Sequence, residues 1–170
     1  MVPPFGWLVP EDRMAILLIH NFKQPHKGIL QEPHPTLRAV SKPVKRINDQ
    51  ERAIAGRLLK VLQQVDKPWL RWLGMAAPQL GFNTRIIAIK RATSKYQIMI
   101  NPEIVAHKLL LPSVAGCYSL KGLYLVRRYY WLKVKYHDLD NKEHVEVFWG
   151  GKAGVLQQEI EHLDGKLICD

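Results

Sequence analysis

The stretch "GKAGVLQQEIEHLDG" (151–165) decides both the fold of this chain and the chemistry open to it. Its apolar residues recur at helical spacing: Val155, Leu156, Ile160 and Leu163. Gly165 follows as a terminator, so the sequence predicts a helix that ends there. Residues four apart lie on one face of a helix, so Gln158 and His162 are expected to point together towards one object.

The segment "QEIEH" (158–162) has the spacing of His-Glu-x-x-His, with glutamine in place of the first histidine. In metallohydrolases built this way the two outer side chains ligate a divalent metal, and the glutamate between them, here Glu159, is the general base. A third ligand has to come from elsewhere, and the only cysteine upstream is Cys117, in "SVAGCYSLKG". Taken singly, Cys117 also fits a buried structural thiol, and His162 a packed histidine or one that caps the helix C-terminus.

The elements before this helix indicate the fold class. In order, the sequence predicts mostly extended or irregular chain over 1–43, a helix over 48–66, strands over 84–91 and 96–105, and a hairpin over 129–149. Asn48 or Asp49 is expected to cap the first of the two helices. Because strands precede the last helix rather than alternate with helices, the order favours an α+β fold.

Length and composition predict one globular domain over 1–170. The chain has 170 residues, of which 47% are hydrophobic and 24% charged, and this is enough for one substantial core. Two cysteines are too few for a disulfide framework, which favours an intracellular protein or one that uses a thiol for something other than cross-linking. No stretch approaches the roughly 18 apolar residues that span a bilayer, so no membrane partner is expected.

The formal net charge of +10 is spread along the chain in patches rather than in one run. One interpretation is a solvated, somewhat basic surface. The other is a field that attracts an anionic partner such as RNA or the surface of a ribosome. The sequence does not choose between them.

Three segments together resemble a known family. "GMAAPQLG" (74–81), "AGCYSL" (115–120) and "QEIEHLDG" (158–165) resemble the three signature motifs of the peptide deformylase family, in the same order and with similar separations. "EPHPTLRAVSKPV" (32–44) looks like the family's N-terminal segment, and the similarity extends in outline over 30–170. The resemblance implies antiparallel β-sheets wrapped around a central helix that carries the metal-binding motif.

The resemblance also implies roles for particular residues. It makes Cys117 and His162 metal ligands and Glu159 the general base and acid. It makes the side-chain amide of Gln79, with the backbone N–H of Tyr118, the group that stabilises an oxyanion. Residues expected to shape the substrate pocket are Gly74, Ala76, Ala77 and Pro78, with Met75, Tyr124, Val155 and Ile104 as apolar candidates that also fit ordinary core.

Three residues depart from the family pattern. Gln158 stands where the family has a histidine ligand, Ala115 where it has a glutamate, and Trp72 where it has a glycine. Gln158 can still offer an amide oxygen to a metal, although first-row transition metals bind imidazole nitrogen better. Loss of a carboxylate at Ala115 is expected to weaken support of the site. Trp72 either narrows the substrate groove or packs with Trp69 and Leu73.

The function that the resemblance implies is hydrolysis. We expect a metal-dependent hydrolase that removes the formyl group from N-formylmethionyl peptides or nascent chains, in the cytoplasm or in an organelle of a eukaryote. Its cofactor is expected to be one divalent metal ion, Fe2+ first, with Zn2+, Ni2+ and Co2+ as alternatives. Two alternatives stay open: a weakened or inactive relative that binds nascent N-termini or the ribosome, and a hydrolase of another small amide.

The start of the chain carries a separate expectation. "MAILLIHNF" begins at Met14 and looks like the usual opening of the family, whereas residues 1–13 match nothing in it. Residues 1–13 are therefore expected to be poorly ordered or an over-long start, which can be deleted without loss of stability or metal binding.

Overall fold

The computed structural model describes residues 26–68, 70–92 and 95–170. Its elements, in chain order, are α1 (Pro35–Arg38), α2 (Asp49–Val65), β1 (Gly74–Ala76), a 3-10 turn (Ala77–Leu80), β2 (Ile86–Ala92), β3 (Lys95–Gly116), β4 (Leu123–His137), β5 (Glu143–Trp149) and α3 (Gly150–Leu163). None of the helices in these ranges is long and apolar enough to span a membrane. The expectation for residues 1–13 lies outside the described residues.

The five strands form one antiparallel sheet in the order β1-β2-β3-β4-β5. Strand β2 shows why its sequence is apolar without alternation. Ile86 and Ala88 belong to the core on the α2 side, whereas Ile87 and Ile89 belong to the core on the α3 side. Both faces of this part of the sheet are therefore covered, and the α+β fold around a motif-bearing helix is confirmed.

Both predicted helices form with the expected ends. Asn48 caps α2, where its side chain accepts from the Gln50 N–H and its own N–H donates to Glu51, so a capping box is complete. After α3 ends at Leu163, Gly165 adopts a φ of +73°. A Cβ there would lie 2.5 Å from the Arg38 carbonyl oxygen, so the chain needs glycine at this stop.

Strand β3 and the first strand of the predicted 129–149 hairpin, β4, are both much longer than the sequence predicts. β3 continues to Gly116, and β4 begins at Leu123 rather than near 129. The segment holds Pro112, which normally argues against a strand. Beyond Ile100, β3 no longer pairs with β2 and pairs only with β4, so it is an edge strand, on which proline is tolerated.

A buried ion pair fastens α2 to the sheet. The Lys90 Nζ atom lies 2.7 Å from Asp66 Oδ1 and 2.8 Å from the Leu70 carbonyl oxygen. The Tyr96 hydroxyl donates to Asp66 Oδ2 at 2.6 Å. The Asp66 carboxylate, which follows the last turn of α2, is thus held by Lys90 of β2 and Tyr96 of β3. Without these partners, burial of the carboxylate and of the ammonium group would be costly.

We predict that Lys90→Met destabilises the protein by roughly 3 kcal/mol, because it leaves the Asp66 carboxylate largely buried without its cation. Urea unfolding measures the effect. Adding Asp66→Asn should recover part of the loss, since the uncompensated charge is then gone. The control is Lys60→Met on the exposed side of α2, which should change stability by less than about 0.5 kcal/mol. Equal stability of Lys90→Met and Lys60→Met would contradict a structural role for the Lys90–Asp66 ion pair.

Candidate metal and hydrolase site

The site begins with a cysteine and a histidine that face each other. Cys117 directly follows β3, and His162 lies in the last turn of α3. Their Sγ and Nε2 atoms are 3.3 Å apart, and both residues are about 1% exposed. The two residues are 45 positions apart in the chain, and the family resemblance had named both as metal ligands.

The ring of His162 is oriented by a backbone carbonyl. Its Nδ1 lies 3.1 Å from the Lys166 carbonyl oxygen, which can only accept, so Nδ1 carries the proton. The lone pair of Nε2 then faces the sulfur of Cys117. Metal-ligating histidines are commonly held this way, with the second ring nitrogen donating to a carbonyl.

Burial controls the protonation of both groups. It lowers the pKa of His162 to about 4 and raises the pKa of the Cys117 thiol to about 12. The polypeptide alone therefore favours neutral imidazole and neutral thiol at pH 7. A divalent cation between them would favour the thiolate, because a coordinating thiol is deprotonated.

Gln79 is fixed in one orientation beside the sulfur. Its Oε1 accepts from the Ala76 N–H at 2.9 Å, which identifies the other branch of the amide as the donor. That Nε2 lies 3.6 Å from Cys117 Sγ and 3.2 Å from Ser119 Oγ. The side-chain amide thus presents N–H groups to the centre of the site, as an oxyanion-stabilising role requires.

Ser119 is a site residue that the sequence analysis missed. Its backbone N–H donates to Cys117 Sγ at 3.4 Å, its hydroxyl accepts from Gln79, and it is almost fully buried. The backbone N–H and the hydroxyl of Ser119 lower the pKa of the Cys117 thiol, although burial raises it by more. The one signal in the sequence was a serine two residues after the candidate ligand cysteine.

Gln158 lies beside the pair, as its spacing predicts. It is 8% exposed, and its Nε2 donates to the carbonyl oxygen of Gly116 at 3.2 Å, next to Cys117. Within residues 26–68, 70–92 and 95–170, no group of three His, Cys, Asp or Glu side chains is arranged to hold a metal ion. A third protein ligand among these residues would come from another kind of side chain or from the backbone, and the amide of Gln158 is the candidate on the same helix as His162.

Glu159 is a carboxyl group in an apolar setting. It is 2% exposed, and its Oε2 has no hydrogen-bond partner among the described residues. Burial raises its pKa to about 8, against the opposing charge of Arg128. A pKa near the working pH suits a group that both takes and returns a proton.

The backbone of Gly74 makes room for this carboxyl. A Cβ on Gly74 would lie 2.6 Å from Glu159 Cγ, 2.9 Å from its Oε1 and 2.7 Å from Val155 Cγ1. Strand β1 can therefore approach α3 this closely only with glycine at position 74. The predicted site residue Gly74 thus positions the glutamate by being small.

The four apolar residues expected to shape the substrate pocket pack in different parts of the core. Met75 is fully buried in the core on the α2 side, while Val155 and Ile104 pack on the α3 side. Tyr124 packs against a third cluster around Cys117. Strand alternation turns Met75 away from α3, and its role in a substrate pocket stays a prediction.

Tyr118 and Trp72 are also clarified. The ring of Tyr118 packs in the α2-side core, with its hydroxyl 3.5 Å from the Val65 carbonyl oxygen, so only its backbone can serve the site. The ring of Trp72 lies against Gly151 in the first turn of α3, where a Cβ would approach it to 2.3 Å, and the side chain is 48% exposed. Trp72 therefore packs on the α3 N-terminus.

Arg128 is a second residue that the sequence analysis missed. It is 8% exposed on β4, and its Nη1 binds Glu161 Oε1 at 2.7 Å. Its charge lowers the pKa of Glu159 and of His162, while its Nε and Nη2 have no partner among the described residues. Nothing in its local sequence distinguishes it from the neighbouring Arg127, which is exposed.

Comparison with known proteins decides the family. The family model described as polypeptide deformylase matches residues 26–170. The chain belongs to the polypeptide deformylase family. That membership places it among hydrolases that use a divalent metal and act in protein biosynthesis.

Individual deformylases are similar over most of their length. A peptide deformylase of Rhodopirellula baltica is 33% identical over 148 residues, covering 84% of this chain and 71% of that protein. One from Chlorobium phaeobacteroides is 36% identical over 141 residues, 79% of this chain and 72% of the relative. The crystal structure of the Thermotoga maritima peptide deformylase superposes with a TM-score of 0.76 at 28% identity, covering 84% and 94% of the two chains.

We predict that Gly74→Ala destabilises this deformylase-family protein by about 1–3 kcal/mol, because the added methyl overpacks β1 against Glu159 and Val155. The control is Gly56→Ala in α2, where a Cβ meets nothing within 4 Å. It should stabilise by roughly 0.4–1 kcal/mol. Thermal and urea unfolding measure both changes, and effects of the same sign would show that the close approach at Gly74 is not a constraint.

Proposed function

We propose that this protein hydrolyses the formyl amide of N-formylmethionyl peptides with the help of a divalent metal held by Cys117, His162 and Gln158. The observation that carries the proposal is the buried contact between Cys117 Sγ and His162 Nε2 at 3.3 Å, with the carboxyl group of Glu159 buried on the same helix. A packing role alone would not require a thiol, an oriented imidazole and a buried carboxyl whose Oε2 has no hydrogen-bond partner within the described residues.

The donor set fits such a metal. A buried thiol, a neutral imidazole with its lone pair towards the sulfur, and an adjacent amide suit first-row transition metals. When bound, the metal supplies Lewis acidity, which makes water a nucleophile near neutral pH. The ion we favour is Fe2+, with Zn2+, Ni2+ and Co2+ as alternatives.

Glu159 would move the proton. As general base it takes a proton from the water that attacks the formyl carbon. As general acid it returns that proton to the amine nitrogen when the carbon–nitrogen bond breaks, so the products are formate and a free N-terminus. Its raised pKa and its position against Gly74 support both duties, because the group is poised near neutral pH and held in place.

Gln79 and the backbone N–H of Tyr118 would stabilise the negative oxygen that develops on the formyl group. The hydrogen bond from the Ala76 N–H to Gln79 Oε1 supports this role, because it fixes the amide before substrate arrives. A preorganised donor does not have to reorient during the reaction, which is why such groups are effective.

The proposed substrate sets the place of action. N-formylmethionyl chains are products of ribosomal synthesis, so we place the protein in the cytoplasm, or in an organelle of a eukaryote, acting on nascent chains beside the ribosome. The net charge of +10 supports an encounter with an anionic assembly.

A second candidate is a relative that has lost turnover and only binds nascent N-termini or the ribosome. The hydrogen bond from Gln158 to the Gly116 carbonyl favours it, because the amide already has a structural use at the position of a ligand. Metal affinity and turnover separate the two candidates.

We predict that Glu159→Gln keeps the bound metal and lowers turnover by about 10²–10⁴-fold, since general acid–base catalysis is typically worth that much. Formate release from a short formyl-Met peptide and metal content after dialysis are the two readouts. Glu143→Gln, on the exposed part of β5, is the isosteric control and should keep full turnover. If Glu159→Gln and Glu143→Gln released formate equally fast, Glu159 would not be the base.

We predict that Gln158→His tightens metal binding by one or more orders of magnitude and raises turnover. The change replaces an amide oxygen by an imidazole nitrogen without altering the charge of the site, and changes even in supporting groups shift affinity by about 10–100-fold. Competition with a chromophoric chelator measures the affinity. Gln64→His on the exposed face of α2 adds an imidazole elsewhere and should have no effect. No gain over the natural protein would favour the non-catalytic candidate.

A further inference from the structure

The outer face of β3, β4 and β5 carries aromatic and basic side chains in register. One row across the three strands is Lys108, Trp131 and Trp149, the next is Ala106, Lys133 and Val147, and the third is Glu103, Lys135 and Val145. We call the residues Lys108, Trp131, Lys133, Lys135, Val147 and Trp149 the aromatic–basic face. It lies away from the candidate hydrolase site.

Alternation along the strands turns this face to solvent. The intervening residues Leu132, Val134 and Phe148 are buried against α3, so their neighbours point the other way. Trp149 is 58% exposed and Val147 is 42% exposed. Large exposed aromatic groups on a sheet face that packs against no other described element are typical of interaction surfaces.

The contacts within the face cover part of Trp131 and leave Trp149 as the exposed ring. Trp131 and Trp149 meet edge to face, with centroids 6.0 Å apart, and Lys108 Nζ lies 5.2 Å from the Trp131 ring centroid. Among the residues that the structure describes, the acidic partner of these lysines is Glu103, 3.2 Å from Lys135. Lys108 and Lys133 make no ion pair within the described residues, and the exposed Glu143 lies at the far end of the same face, in the row beyond Lys135 and Val145. The end of the face that carries the tryptophans is therefore positive.

We propose that the aromatic–basic face binds single-stranded RNA. Unpaired bases stack on exposed aromatic rings, and lysines beside them neutralise phosphates, which is how open antiparallel sheets bind single strands. The net charge of +10 draws such a polyanion from any direction, and the face supplies the contacts. The residues proposed to bind RNA are not those proposed for deformylation. The RNA proposal extends the proposed function in one respect, the place of action beside the ribosome.

The arrangement favours RNA over other partners. Lys133 lies in the middle row, beside Val147 and next to the row that holds the two tryptophans. Charged residues are depleted at the core of interfaces between copies of one chain, so a lysine in this central position argues against a dimer interface. An acidic peptide could pair with the lysines but has no bases to stack on Trp149. An anionic membrane could also pair with them, which makes it the second arm of the test.

The test is binding of a fluorescein-labelled oligouridine by the full-length protein, measured by anisotropy and by quenching of tryptophan fluorescence between about 50 and 200 mM salt. Binding should weaken with salt with a log–log slope of about −2, as three phosphate contacts to a single strand require. Trp149→Ala should weaken binding by roughly 10-fold or more, and Trp149→Phe should keep most of it, because a ring remains for stacking. Lys133→Ala should reduce the slope by about 0.7.

Lys60→Ala on α2 removes the same charge at an exposed position outside the aromatic–basic face and should leave the affinity for oligouridine almost unchanged. Equal loss in Lys60→Ala and Lys133→Ala would overturn the proposal, since binding would then follow net charge alone. Absence of oligouridine binding would also overturn the proposal. That holds if the face instead binds vesicles containing phosphatidylserine, and if it instead forms a dimer that Trp149→Ala dissociates. Formate release by Lys133→Ala from a short peptide should equal that of the natural protein, so failure of RNA binding and failure of hydrolysis are distinguishable.

Discussion

The contact between Cys117 Sγ and His162 Nε2 is the interaction on which the rest of this structure depends. It joins the end of the longest strand to the last turn of the central helix, and both side chains are buried there without charge. The helix must therefore stop just beyond His162, which Gly165 enforces, so that the Lys166 carbonyl can orient the ring. The strand must end at Gly116, where its carbonyl receives Gln158.

Burial gives the site its chemistry and also its cost. A neutral thiol, a neutral imidazole and a carboxyl group with a raised pKa are tolerated because each has lost the charge that water would stabilise. Arg128 is the nearby cation that opposes this trend for Glu159, and its pairing with Glu161 keeps it in place. A divalent metal would convert the same arrangement into a charged, stabilised one, since metal binding and ligand deprotonation are linked.

Much of this could be predicted from the sequence, and the reasons for success and failure are physical. The α3 helix, its terminator and the convergence of Gln158 and His162 follow from the 3.6-residue period, and the order of strands gives the α+β class. The placement of Cys117 against His162 required the resemblance to a family, because no local pattern brings residues from β3 and α3 together. The extension of β3 through Pro112 was missed because only the loss of pairing with β2 makes proline acceptable there. The side of the sheet on which Met75 lies could not be predicted, because the face that a three-residue strand turns to each helix is not known before the two helices are placed.

The most direct test of the central claim is release of formate from a short formyl-Met peptide by the natural protein, prepared without oxygen, before and after addition of ferrous, nickel or cobalt ion. The account predicts turnover that appears with added metal and disappears with a chelator, because Cys117, His162 and Gln158 hold the metal more weakly than a site with a second imidazole would. Absence of formate release with each of the three metals, in protein that is folded and binds them, would contradict it.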